Sequence, residues 1–439
     1  MPNLPAKYSR REFLQHGAIA GAASLALPYL LPSGVLAAEG RPGANDRIGI
    51  AGIGIGRQGN GVLHGALSSK QTRCIGIADV FLPRAQELCK KLGGEACQDY
   101  RKLLDRQDVD AVVTATPDHW RALVAIHACQ AGKDVYAEKA LSLTIREGRL
   151  MVEAARKYQR VFQVGSQQRS QAVNRISCEY IRTGQLGKIK EVVGCNYPSP
   201  WECELPGQPV PEGLDWDRWC GPAPLVPYHK DLFAPRALPG WLSFRPYSGG
   251  EMTGWGAHGI DQIQWALGMD DSGPVEVWTE GGKFNPPTTT EPESSARGNK
   301  LCQVPMIFYR YANGVVVKLD NGSGGGGIFF GEKGKMDLTR GAVKTNPVDI
   351  GEEITRQAKG ADQNHVGNWL ACIKSRAKPI ADVEIGHRSI TVCHLGNIAR
   401  WTGRKLRWDP VQEVFPDDAD ANQYLDRPRR KPYELPEQI

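Results

Sequence analysis

Ile48-Gly49-Ile50-Ala51-Gly52-Ile53-Gly54-Ile55-Gly56-Arg57-Gln58-Gly59 is the stretch that decides how this 439-residue chain folds. Arg47 to Ile53 alternates into an apolar strand that runs straight into the glycines. A helix-compatible segment follows, and a second strand, Cys74 to Ala78, ends at Asp79. Strand, glycine turn, helix and strand, closed by an acidic residue, is the arrangement that binds a dinucleotide. Glycines let the backbone approach a pyrophosphate at the helix N-terminus, and the carboxylate takes the ribose hydroxyls. Gly52 and Gly54 offer a competing start, with Arg57 where the third glycine would stand; the register Gly54, Gly56, Gly59 is preferred. Gly54, Ile55, Gly56, Arg57, Gln58 and Asp79 are therefore expected at the cofactor. Asp79 repels a 2'-phosphate and favours NAD, whereas Arg57 and Arg84 pull toward NADP, which stays open.

The following units repeat the pattern. Asp110 to Thr114 reads as a short strand ending in Ala115-Thr116-Pro117-Asp118-His119-Trp120. A helical stretch then runs to Ala131, Gly132 stops it, and strand Asp134 to Ala137 leads into Glu138-Lys139. Residues at the carboxyl ends of parallel strands line the cofactor crevice, so Thr116, Pro117, His119, Glu138 and Lys139 are expected at one rim.

Ahead of this unit, Ser9-Arg10-Arg11-Glu12-Phe13-Leu14 has the form of a twin-arginine export signal, an address read by a receptor. An apolar stretch from Gly17 to about Leu31 and small residues Ala37 and Ala38 complete it. That stretch falls short of the ~20 residues a membrane span requires, and Pro28 and Pro32 interrupt it. The expectation is cleavage near Ala37 or Ala38 and a periplasmic or otherwise exported enzyme, with the export machinery as a partner and no stable span. An exported dinucleotide enzyme leaves its supply of fresh cofactor behind. It must hold its cofactor tightly or return it to the starting redox state each turnover.

The formal charge of +6 is too mild and too evenly spread to argue for nucleic acid. Eleven cysteines without a CxxC or other metal-type spacing read as buried thiols and give no metal site, with a bridge among Cys195, Cys203 and Cys220 left open. Length suggests two domains after the signal: residues 1–38 signal, 44–165 nucleotide-binding, 166–408 substrate and oligomerisation, and 409–439 a charged, proline-rich arm.

Ala-Thr-Pro-Asp-His-Trp (115–120), Glu138-Lys139, Val-Gly-Ser-Gln-Gln-Arg (164–169) and Gly249-Gly250 through Trp255-Gly256, His258 and Asp261 together resemble the motifs of the glucose-fructose oxidoreductase, inositol dehydrogenase and MocA family. The resemblance implies an α/β chain. An N-terminal Rossmann domain would be followed by an α+β domain on a large open antiparallel sheet that often mediates dimers or tetramers. It implies sugar or polyol substrates and hydride transfer at a carbinol carbon. By motif, Lys139 is the lysine that touches nicotinamide ribose and the reacting hydroxyl, and His258 is the acid/base. Gln167 joins the cofactor set and Arg169 the substrate set. Three departures stand out: Ala140 for the usual proline, Arg121 where a histidine often follows, and Gly254 where many dehydrogenases carry a substrate-binding aspartate.

On a helix, His258, Asp261, Gln262 and Trp265 share one face, so Asp261 is a candidate to orient His258 or simply a carboxylate near the helix N-terminus. Between Tyr197 and Tyr247 the chain is proline-rich and aromatic, which excludes a regular helix or central strand. Tyr228, Arg245 and Trp255 are the first choices there for contact with a sugar, against the reading that the aromatics only pin a loop to the core. Three functions compete: a cofactor-retaining sugar oxidoreductase; a redox-neutral NAD-dependent glycosidase, needing an extra base such as Tyr228 or His229; and a non-catalytic sugar-binding protein.

Overall fold

A computed structural model describes residues 46–233, 240–291 and 302–439. The export signal lies outside the described residues. The N-terminal half alternates strand and helix. In chain order it runs β1 (Ile48–Ile53), α1 (Arg57–Leu67), β2 (Thr72–Ala78), α2 (Leu82–Leu92), β3 (Glu95–Cys97), β4 (Ala111–Thr114), α3 (Asp118–Gln130), β5 (Asp134–Ala137), α4 (Ile145–Lys157) and β6 (Phe162–Val164). The strands form one parallel sheet in the order β3-β2-β1-β4-β5-β6, the doubly wound topology whose ligand crevice opens where the order reverses. Every residue of β1, β4 and β5 is buried, as a parallel strand covered by helices on both faces must be.

After α5 (Ala172–Arg182) and β7 (Ile189–Cys195) comes α6 (Gly256–Ala266). Then follow β8 (Glu276–Glu280), β9 (Met306–Arg310), β10 (Val316–Asp320), β11 (Gly327–Gly331), β12 (Gly334–Leu338), β13 (Val343–Asn346), α7 (Val348–Ala358), α8 (His365–Ser375), α9 (Val383–Thr402) and β14 (Leu406–Arg407). Among the described residues these strands make an eight-stranded sheet, β13-β12-β11-β7-β10-β9-β8-β14. It is antiparallel except for β7 beside β10. That parallel pair is invisible to local sequence, because it joins strands more than a hundred residues apart.

The arm after β14 packs back onto the nucleotide-binding half. At the start of α4, Thr144 accepts the Glu147 amide while the Glu147 carboxylate accepts the Leu143 amide at 2.9 Å, a reciprocal cap. Arg427 and Arg429 then reach Glu147 at 2.9 and 3.0 Å, and Tyr433 sets its ring edge-on against Trp120. All eleven cysteines are free thiols. No helix among the described residues is long and apolar enough to cross a membrane.

Candidate active site

A cavity of about 390 Å³ opens at the carboxyl ends of β1, β2, β4 and β5 and extends to the start of α6. Its nucleotide end is built by the glycine turn. Gly54 has φ +66°, and a Cβ there would strike Thr116, so only glycine fits this turn. Gly59 lets α1 approach Ala115, where a Cβ would come within 2.9 Å of another. A Cβ on Gly56, in contrast, would meet nothing within 4 Å. It would instead fill the mouth of the cradle at the N-terminus of α1, where a pyrophosphate is held by backbone amides. The register Gly54, Gly56, Gly59 is the one the backbone follows, and these residues fit a dinucleotide.

Asp79 closes β2 with its carboxylate held by the Phe81 amide at 2.9 Å and by Arg84 at 3.2 Å. Burial raises its carboxyl above the usual range against the pull of Arg84. Arg84 is itself pinned, its guanidinium 5.6 Å from the rings of both Phe81 and Phe233. The cation that pulled toward NADP is thus already matched to the carboxylate that favours NAD.

A second part of the cavity wall gathers around Glu138 and Lys139. Glu138 Oε1 accepts from Gln167 at 2.8 Å and from Gln58 at 3.3 Å, and its Oε2 faces the Lys139 amide at 3.2 Å. Gly165 must be glycine, because a Cβ would sit 2.7 Å from that carboxylate. Burial raises the Glu138 carboxyl, opposed first by the Lys139 ammonium. Lys139 Nζ crosses to the second domain and donates to the Gly254 carbonyl at 3.3 Å. One turn on, His258 stands at the start of α6 with its ring 5.7 Å from that of Trp255, and both line the cavity. The nucleotide-side lysine and the helix-borne histidine thereby line the same cavity.

Arg121, a departure in the sequence, proves to be a brace. Its guanidinium donates to the carbonyls of Thr116 and Ala140 and to Asp118 at 2.9 Å, joining the two strand-end loops that carry cofactor residues. Asp118 in turn accepts from Ser248 Oγ at 2.8 Å, and Ser248 Oγ accepts the Gly250 amide at 3.2 Å. A continuous set of bonds therefore links the nucleotide wall to the turn preceding α6. The local signal was available, an aspartate and an arginine three apart at a helix start, but not the partners across the domain boundary.

Several expected residues sit elsewhere. Asp261 does not turn to His258; its carboxylate is bonded to Arg169 Nε at 3.0 Å and to Ser389 at 2.9 Å, wholly buried. Arg169 spends its other nitrogens on Asp270 and lies 4.9 Å from the Trp265 ring, so it is locked beneath α6 and not offered to a substrate. Tyr228 packs into a separate aromatic cluster, edge-on to Trp216. His229 is buried beside it, against Gln208. Arg245 is half-exposed over Trp401. His119 is buried behind the wall, Nε2 bonded to the Trp219 carbonyl at 2.8 Å and held neutral by burial to about 3. The Ile55 side chain packs in the core under Gly52. From the proline-rich segment it is Arg218, Trp219, Phe233, Trp241 and Leu242 that line the cavity, together with Trp255. The segment thus serves both readings: one part is a small core of its own and its edge is a wall.

This is a two-domain nucleotide-binding protein in which a lysine from one domain and a histidine from the other line the same cavity. Its residues 47–166 match the family model described as oxidoreductase family, NAD-binding Rossmann fold, and residues 181–435 match that family's C-terminal alpha/beta domain. The chain belongs to the glucose-fructose oxidoreductase, inositol dehydrogenase and MocA family. It is 31% identical over 135 residues to levoglucosan dehydrogenase of Pseudarthrobacter phenanthrenivorans, a stretch covering 30% of this chain and 34% of that one. It is 33% identical over 125 residues to glycosyl hydrolase family 109 protein 2 of a Shewanella species, 26% of this chain and 27% of that one. These matches span about a third or less of the relatives' own length. The WlbA dehydrogenase from Bordetella pertussis, solved with NADH and UDP-GlcNAcA, superposes with a TM-score of 0.61 at 17% identity, over 84% of this chain and 99% of that one.

Proposed function

We propose that the chain is an exported sugar oxidoreductase that keeps its NAD bound and oxidises a carbinol carbon. The observation that carries this reading is the Lys139–Gly254 bond, which ties the nucleotide-side lysine to the turn before His258 in the cavity that the glycine cradle also lines. Gly54, Gly56 and the first amides of α1 would hold the pyrophosphate, Asp79 the adenine-side ribose hydroxyls, and Glu138, Lys139 and Gln167 the nicotinamide side. Bound NAD supplies the hydride acceptor. Lys139 donates to the reacting hydroxyl oxygen and fixes it, while His258 removes the hydroxyl proton as the carbonyl forms. Trp219, Trp241 and Trp255 exclude water and present faces to the sugar's C–H surface. Retention follows from the export address: away from the cytoplasm, a resident nucleotide must be recycled by a second sugar or another acceptor. An assembly through the open sheet is part of the same proposal.

The family 109 similarity favours a second reading, a redox-neutral glycosidase in which hydride returns to the same sugar after elimination. That chemistry needs a base for the proton beside the transient ketone, and Tyr228 and His229 are both packed outside the cavity lining. One experiment separates the two. Protein is purified from the exported fraction, its nucleotide identified on denaturation, and the holoprotein incubated with sugars and aryl glycosides without added cofactor. Reduction of the bound nucleotide that stalls until a second sugar arrives supports the oxidoreductase. Catalytic release of aglycone supports the glycosidase. Absence of nucleotide sinks both, leaving a sugar-binding protein.

A further inference from the structure

Six arginines line the cavity, and four of them are matched by carboxylates: Arg84 by Asp79, Arg101 by Asp99, Arg121 by Asp118, and Arg218 by Asp99 and Asp215. Arg57 follows Gly56 at the N-terminus of α1, where a dinucleotide brings its own phosphates. Arg340 is left. It comes from the second domain, is exposed, and has no carboxylate partner among the described residues.

Its position is built. Arg340 sits in the turn between β12 and β13, closed by the Thr339 amide donating to the Ala342 carbonyl at 2.8 Å. Asn174, wholly buried on α5, clamps both flanking residues: its Nδ2 donates to the Thr339 carbonyl at 2.9 Å and its Oδ1 accepts the Gly341 amide at 2.9 Å. Gly341 takes φ +78°, which glycine adopts without strain. A buried amide that spends both ends on one exposed turn fixes where that turn's side chain starts. The turn abuts the glycine tract: Arg340 Cβ lies 3.3 Å from an ideal Cβ on Gly325, and the Gly326 carbonyl 3.0 Å from one on Gly259. Gly259 follows His258. Arg340 therefore lines the cavity from the second domain, on a turn that abuts the glycine tract packed against the residue after His258.

We propose that Arg340 is a specificity-determining residue that pairs with an anionic substituent on the sugar, a carboxylate or a phosphate, and that the substrate is an acidic sugar. The planar guanidinium suits either group through paired N–H bonds. The inference rests on the sugar-oxidoreductase reading and adds the substrate's charge to it.

The test compares the second-order rate constant for single-turnover reduction of the bound nucleotide, read from nicotinamide absorbance, for glucuronate and galacturonate, glucose 6-phosphate, and glucose and galactose. Wild type should prefer an acidic sugar, and which acidic sugar identifies the group. Arg340→Ala should lower the acidic-to-neutral ratio about 10- to 100-fold, the worth of a charge-assisted bond, chiefly through the sugar concentration that half-saturates the reduction rate, with Arg340→Lys recovering part. Lys344→Ala, which removes an exposed cation from neighbouring β13, is the charge control and should leave the ratio unchanged. Wild-type preference for neutral sugars, an equal loss on both classes in Arg340→Ala, or an equal fall in Lys344→Ala overturns the assignment while the oxidoreductase reading stands. If no sugar reduces the bound nucleotide, that reading fails. Calorimetric binding of glucuronate and of glucose 6-phosphate to wild type and Arg340→Ala then still decides: weaker binding in the variant supports the assignment and equal or absent binding overturns it.

Discussion

Arg121–Asp118 and Arg169–Asp261 are both buried arginine–aspartate pairs, each guanidinium almost wholly out of water, yet they do different work. The first lies in the cavity wall and spends its remaining donors on the carbonyls of two strand-end loops, so it sets where the Lys139 loop stands relative to the nucleotide cradle. The second lies under α6 and ties that helix to the segment after β6 and, through Ser389, to α9. Charge type and burial are the same. What differs is whether the partners are loops that line the cavity or helices that hold the domain together.

Lys139 provides the largest contrast with either pair. Lys139→Ala should lower turnover by about 10²–10⁴-fold, as loss of a positioned proton-transfer group does, while thermal stability and nucleotide content change little. Asp261→Asn should do the reverse. Removing one partner of a buried pair costs roughly 3 kcal/mol, the lower end of the usual range because Asp270 still faces Arg169, and turnover per folded molecule should persist. A Tm that stays put with turnover abolished would return Asp261 to the catalytic machinery.

Smaller effects separate cradle from scaffold. Gly56→Ala places a methyl where no protein atom lies within 4 Å, so with nucleotide stripped from both proteins its unfolding free energy should hold or rise by up to about 1 kcal/mol, while the variant is purified without nucleotide and lacks the stabilisation that binding gives. Gly54→Ala collides with Thr116 at positive φ and should lower the midpoint itself. Retention of full nucleotide by Gly56→Ala would mean the pyrophosphate lies elsewhere.

Acid should act through the scaffold. Burial depresses His119 to about 3 and His365 and His394 to about 4, against about 6.5 in an unfolded chain. Below about pH 6.5 the unfolded chain takes up protons that these folded sites refuse, so stability falls as pH drops toward the folded values, by up to ~1.4 kcal/mol per pH unit for each histidine. Calorimetry at pH 5 should register uptake of about three protons on unfolding from these sites. A Tm independent of pH between 7 and 5 contradicts their neutral burial.

The nucleotide half was legible because its signals are local. The β1–glycine–α1–β2 run and strand Asp134–Ala137 follow from apolar spacing and glycine stops. Lys139 and His258 were reached through motifs, and the structure brings both to the cavity. The partners of charged residues were not legible. Arg169 and Asp261 are 92 positions apart and each reads alone as a site residue; only the fold reveals that they neutralise one another. Arg340 left no trace in the sequence, because its importance lies in what Asn174 and the glycine tract do to its turn.

The central claim, a resident nucleotide served by Lys139 and His258, is tested most directly by single-turnover reduction of the nucleotide that copurifies with the exported protein, wild type against Lys139→Ala. The account predicts that sugar reduces the wild-type nucleotide once and then stalls, while the variant carries the same nucleotide and reduces it at least about a hundredfold more slowly. A variant that reduces its nucleotide at the wild-type rate contradicts it.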